Sequence, residues 1–101
     1  MFDPAVTMAE FSAWANDRLY AACAQLSSSD IAAQRGAFFG SILGTLNHIL
    51  LVNILYRERL ENGGRSHFKR LDDTLHTDLD ELRAAQRAED EWYIARIKDT
   101  S

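Results

Sequence analysis

The sequence predicts an all-α fold, a helical bundle of three long helices, and three observations lead there. Apolar residues recur at mixed three- and four-residue steps over long stretches. The one proline of the 101-residue chain stands at position 4, where it breaks nothing. No segment alternates apolar and polar residues in the two-residue period of a strand. With 47% hydrophobic residues and no linker-like stretch, the chain reads as a single domain over 1–101.

The first predicted helix runs from Pro4 to Gln25. Asp3 suits the cap and Pro4 the first turn, and Val6, Phe11, Trp14, Ala15, Leu19, Ala22 and Leu26 form one apolar face. Trp14 is expected in the core, its indole N–H finding a partner. The serines and aspartate of SSSDIAAQRGAFFGS interrupt the pattern. This is a connection, with a short helical turn near Asp30 and with Phe38 and Phe39 anchoring it.

Ser41 is the predicted cap of the second helix, which runs to Glu61 and stops at Asn62-Gly63-Gly64. Its middle is apolar nearly all round: Ile42, Leu46, Ile49 and Tyr56 fall on one side, Leu51 and Leu55 on the other. It should be the central helix or lie at a subunit interface. A polar connection of roughly fifteen residues follows, longer than antiparallel neighbours need, so it can cross the bundle and return the third helix parallel to the second. That helix begins at Thr77, with Asp78, Asp80 and Glu81 favouring its N-terminal dipole, and Leu75, Leu79, Leu82, Ala85, Trp92 or Tyr93, and Ile97 give its stripe. Helices of about twenty residues are about 30 Å long, and three of them leave one side of a bundle uncovered.

Charge and cysteine content exclude several classes. A formal charge of -4 with scattered Lys and Arg offers no basic stripe for nucleic acid. No apolar run reaches bilayer length and no secretory leader opens the chain, so no membrane association is expected. Cys23, the single cysteine, allows no internal disulfide, and a cytoplasmic location is the expectation.

Among chemistry-bearing residues, His48 stands out because an imidazole inside an apolar helix needs a partner. The helical neighbours of His48 are Gly44, Thr45, Leu51 and Val52, so its helix offers one metal ligand only. Beside it, Asn47 can donate and accept at once, which suits a clamp onto a neighbouring helix or loop, and Asn53 can do the same. Glu89 lies within the stripe of the third helix, either inward toward His48 as a second ligand or base, or at the helix edge, in water or with Arg96. His67 and His76 match no compact zinc spacing and are expected in solvent. Cys23 reads as a small buried side chain.

The segments WANDRLY, GAFFGSILGTLNHILLVNILYRERL and LRAAQRAEDEW resemble the DinB superfamily. That resemblance implies a four-helix bundle of up-down-down-up course, commonly homodimeric, in which three histidines hold a divalent metal, often zinc or nickel. The first ligand falls on His48. The other two come from a His-x-x-x-His pattern on a fourth helix, and the sequence contains no such pattern. Leu43 and Asn53 stand where relatives often carry histidine and aspartate.

The resemblance thus implies a DinB-like bundle lacking its fourth helix, truncated or degenerate. Its His48 is a single candidate ligand that holds no metal tightly alone, with Asn47 and Glu89 as weaker candidates near it. Relatives include thiol-dependent transferases and isomerases, so a low-molecular-weight thiol or other small molecule is the implied substrate, in transferase- or hydrolase-type chemistry that this chain is not expected to perform as it stands. The alternative is a non-enzymatic interaction protein that homodimerises through the second helix.

Overall fold

The computed structural model describes residues 3–33, 40–64 and 73–100. They form α1 (Pro4–Cys23), α2 (Ser28–Ala32), α3 (Ile42–Glu61) and α4 (Leu79–Thr100), and no strand occurs among the described residues. Phe38, Phe39 and His67 lie outside them.

Each helix starts where a side chain replaces a missing carbonyl acceptor. The Asp3 carboxylate accepts the Ala5 N–H at 2.9 Å at the head of α1, and the Ser27 hydroxyl accepts the Asp30 N–H at 3.1 Å at the head of α2. Ser41, as expected, caps α3 by accepting the Gly44 N–H at 2.9 Å. For α4 the cap is Asp78, which accepts the Glu81 N–H at 2.9 Å, so the helix starts slightly after Thr77. Stops are equally local. Past α3, Gly63 and Gly64 take φ of 63° and 94°, a left-handed turn that glycine adopts without strain, and the Gly64 N–H closes onto the Arg59 carbonyl at 2.7 Å.

Tyr20, Cys23, Leu46, Leu50 and Leu82 make the core, with Ile42, Leu43, Ile54, Leu75, Leu79 and Ala85 packed around it. The apolar second helix is α3, whose Leu46, Asn47, Leu50, Leu51 and Leu55 are all buried, but the central place expected for it falls to α4. Helix α4 packs against both α1 and α3, and α2 rests on α3 through the buried Ile31.

The face expected to bury α1 is a correction. Trp14 is 58% exposed and Phe11 56% exposed, and Leu19 and Leu26 are exposed as well; the residues α1 buries are Tyr20 and Cys23. Burial of Tyr20 and Cys23 turns the same side inward, and polar pairs form beside them. Asp17 holds Arg83 at 3.1 Å and Arg87 at 2.6 Å on α4, and Asn16 reaches Asp90 at 3.1 Å. With that side turned to α4, Trp14 faces outward and takes the Arg18 guanidinium over its ring at 5.3 Å. Periodicity finds an apolar face; it does not say which surface covers it.

Candidate functional site

His48 sits half-buried on α3. Beside it, Asn47 is buried and fully used: its Nδ2 donates to the carbonyls of Leu43 and His76, each at 2.9 Å, and its Oδ1 accepts the N–H of Leu75 at 2.8 Å and of His76 at 3.0 Å. This is the helix-to-loop clamp expected of an asparagine there, and it fixes the segment entering α4 against α3. The His76 ring is half-exposed, with Nδ1 3.7 Å from Glu81.

Glu89 points inward and is 8% exposed. Its partner is Arg57 on α3, whose Nε lies 2.9 Å from both carboxylate oxygens, whereas Arg96 stacks on Trp92. Arg57 also holds Glu61 at 3.0 Å, and the Glu89 bond above all pushes its pKa up. The Glu89 carboxylate is thus committed to a guanidinium that ties α3 to α4. One turn on, the Tyr93 hydroxyl donates to the Asn53 carbonyl. Burial pushes Tyr93 up to about 12, so it stays a neutral donor at physiological pH.

Between α1, α3 and α4 opens a groove of about 600 Å³. Its walls are Ala5, Met8, Ala9, Phe11 and Ala15 from α1 and Ile49 from α3, with Ile97 on α4; its polar groups are Asn16, Asn53, Asp90 and Tyr93, with Ser12 at the α1 side. Its size and its few convergent polar groups on apolar walls are those of a binding site. His48 is not among the lining residues; it lies one position from Ile49, about 100° around the helix.

Asp90 is the groove's unusual member. Only 8% exposed, it accepts Asn16 Nδ2 at 3.1 and 3.3 Å and Gln86 Nε2 at 3.0 Å. Burial pushes its pKa up, the two amides oppose that, and the negative Glu89 and Asp17 add to it. The same burial raises Tyr20, whose hydroxyl finds no hydrogen-bond partner among the described residues, and raises the thiol of the buried Cys23. In the sequence Asp90 has only one signal, its place four residues beyond Gln86 on the line that continues through Leu82. Its neighbour Glu89 draws attention first.

Among the described residues no group of three or more His, Cys, Asp or Glu side chains is placed to hold a metal ion. Nor is any described helix long and apolar enough to cross a membrane.

Neither a curated protein nor a solved structure matches the chain. The DinB family model matches residues 1–99, nearly the whole length, and the chain belongs to the DinB family.

Proposed function

We propose that this DinB-family chain is a three-helix frame that receives a fourth helix in the groove between α1, α3 and α4, completing an up-down-down-up bundle. The groove carries the proposal: three packed helices leave one corner open, and its walls are apolar with small alanines where a helix would approach. The order of side-chain pairing supports the course. On α3 and α4, Asn47 meets residues 75 and 76 while Arg57 meets Glu89, so contacts advance together, as in parallel helices. On α1 and α4, Asn16 meets Asp90 and Asp17 meets Arg87 and Arg83, in opposite order.

A divalent metal of the kind the family suggests does not fit the donors described. His48 contributes one imidazole, Asn47 is spent on backbone and Glu89 on Arg57. One nitrogen does not retain a zinc or nickel ion against water, so no step of a metal-dependent transfer is derived from these residues. Ligands beyond His48 would have to arrive from outside them.

Homodimerisation is a second reading, favoured by the exposed Met8, Phe11 and Trp14 along α1. The exposed apolar residues of α3 are Tyr56 and Leu60, near its C-terminal end, so α1 offers the broader apolar face.

Zinc titration with light scattering, on the wild type and on His48→Ala, tests the proposal. A frame gives no tight stoichiometric zinc uptake and the same subunit mass for both proteins. One tight zinc per chain, lost in His48→Ala, would overturn it in favour of a self-sufficient metal centre.

A further inference from the structure

Among the described residues, every large apolar side chain that stands exposed, apart from Leu26, lies on α1 or α3. On α1, Met8 and Leu19 share one line with Ser12 and Ala15, at mixed steps of four and three, on the groove side. Phe11, Trp14 and Arg18 form the next line, at the rim and outside it. On α3, Tyr56 and Leu60 continue the line of Ile49 and Asn53 out of the groove. The open corner and the uncovered faces are therefore one continuous surface, shared by two helices of the same chain. No described helix is left to cover it, since α2 has five residues and rests on α3 through Ile31.

We propose that the helix received by the groove is α1 of a second copy of this chain, in a parallel two-fold dimer. This rests on the reading of the groove as a helix seat and names its occupant. A two-fold axis laid along the bundle beside α1 preserves height and direction, so the partner's α1 enters running as α1 does, against α3 and α4, the course a fourth helix requires. The contact is reciprocal: each copy seats the other's α1, and the assembly closes at two. The two α1 helices meet in register along Met8, Ser12, Ala15 and Leu19, where serine and alanine permit close approach. Phe11 and Trp14 of each copy then cover Ile49, Tyr56 and Leu60 of the other. One operation thus buries the exposed apolar residues of both helices, which a ligand confined to the groove would leave in water.

Charge supports the same register. Asn16 meets Asp90, and Tyr93, one turn on, reaches Asn53, so Asn53 stands level with Ala13 and Tyr56 level with Glu10. Glu10 is exposed one turn before Trp14, and the exposed Arg59 lays its guanidinium over the Tyr56 ring at 6.0 Å. Seated in the groove, the partner's Glu10 arrives at that guanidinium, on the outer edge of the pair. A contact of two helices of about twenty residues with their neighbours lies near the low end of the usual interface size, so association falls at roughly tens to hundreds of micromolar and the groove is open at low micromolar protein.

The test is subunit mass by sedimentation equilibrium from about 5 to about 500 μM, on the wild type, on Glu10→Arg, on Arg59→Glu and on the chain carrying both changes. The expected mass rises from one chain toward two. Each single reversal weakens association about fivefold or more, and the two together restore it; both sites are exposed, so the fold tolerates them. Oxidation at the high concentration supplies the geometry: Ser12→Cys, on the seam, links two copies, whereas Ala21→Cys, turned away from it, does not, and the native Cys23 is buried. A mass of one chain at every concentration overturns the second copy as occupant. So does a dimer whose affinity ignores both reversals, or one that links no faster through Ser12→Cys than through Ala21→Cys, since its contact then lies on another face. The seat reading fails separately, if a synthetic amphipathic helix leaves the amide signals of Ala9, Asn53 and Ile97 unmoved at low micromolar protein.

Discussion

Asn47 grips the backbone of His76 on both sides of its Cα, donating to its carbonyl at 2.9 Å and accepting its N–H at 3.0 Å across a sequence separation of 29 residues. A side chain that reproduces a backbone ladder at one point fixes the entry to α4 without a strand or a helix of its own. Removing it leaves the buried N–H groups of Leu75 and His76 without their acceptor. Asn47→Ala should cost about 2–3 kcal/mol, seen as a lower urea midpoint with an unchanged slope. Asn47→Asp keeps an acceptor but loses the donor and adds a buried charge, and should be no better. An alanine variant as stable as wild type would show that the clamp is ornamental.

The Arg57–Glu89 pair makes a different prediction because one partner is more exposed than the other, with side chains 28% and 10% accessible. Glu89→Ala leaves the half-buried guanidinium with Glu61 alone and should cost about 1–3 kcal/mol. Replacing both by leucine should cost less than the single change, since no charge is left stranded. A double-mutant cycle with no coupling would contradict the idea that this pair ties α3 to α4.

Two aspartates give opposite pH dependences. Burial raises Asp90 above the ordinary carboxylate value of about 3.9, so the folded state binds more protons there. Its contribution to stability is therefore lost as pH rises from that value through its raised pKa. Asp17 is depressed, first by its bond to Arg87 and then by Arg83. Its contribution is present above the ordinary value and is lost as pH falls through the depressed one. Chemical denaturation across acidic pH should lose the upper-window decline in Asp90→Asn and the lower-window loss in Asp17→Asn. Identical profiles for the two variants would count against the assignment.

Much of this architecture was legible because it rests on local chemistry. Asp3, Ser41 and the Gly63-Gly64 stop announce their helix ends through caps and backbone freedom, and the all-round apolar middle of α3 announces a buried helix, although the one that packs on both long neighbours is α4. Asn47 was legible as a clamp because only a group that donates and accepts fits there. The side of α1 was not, because the face it buries is the one α4 covers, where Asp17 meets two arginines some seventy residues away in sequence. Asp90 was hidden for the same reason: its burial and its bond to Asn16 on α1 are properties of the packed molecule. The sequence leaves Glu89 open between His48, water and Arg96, and none of these is its partner: the geometry pairs it across the interface with Arg57.

The claim on which the rest depends is that the corner between α1, α3 and α4 stands open to a further helix. Enlarging its wall is the most direct probe: Ala9→Leu and Ala15→Leu, singly and together, compared with wild type by urea denaturation at low micromolar concentration. In an open groove the added methylenes meet no neighbour, so stability is unchanged or slightly raised, while binding of an amphipathic helix is lost. A destabilisation of about 1–3 kcal/mol per substitution, the cost of overpacking a filled core, would show that the corner is already occupied and that no seat exists.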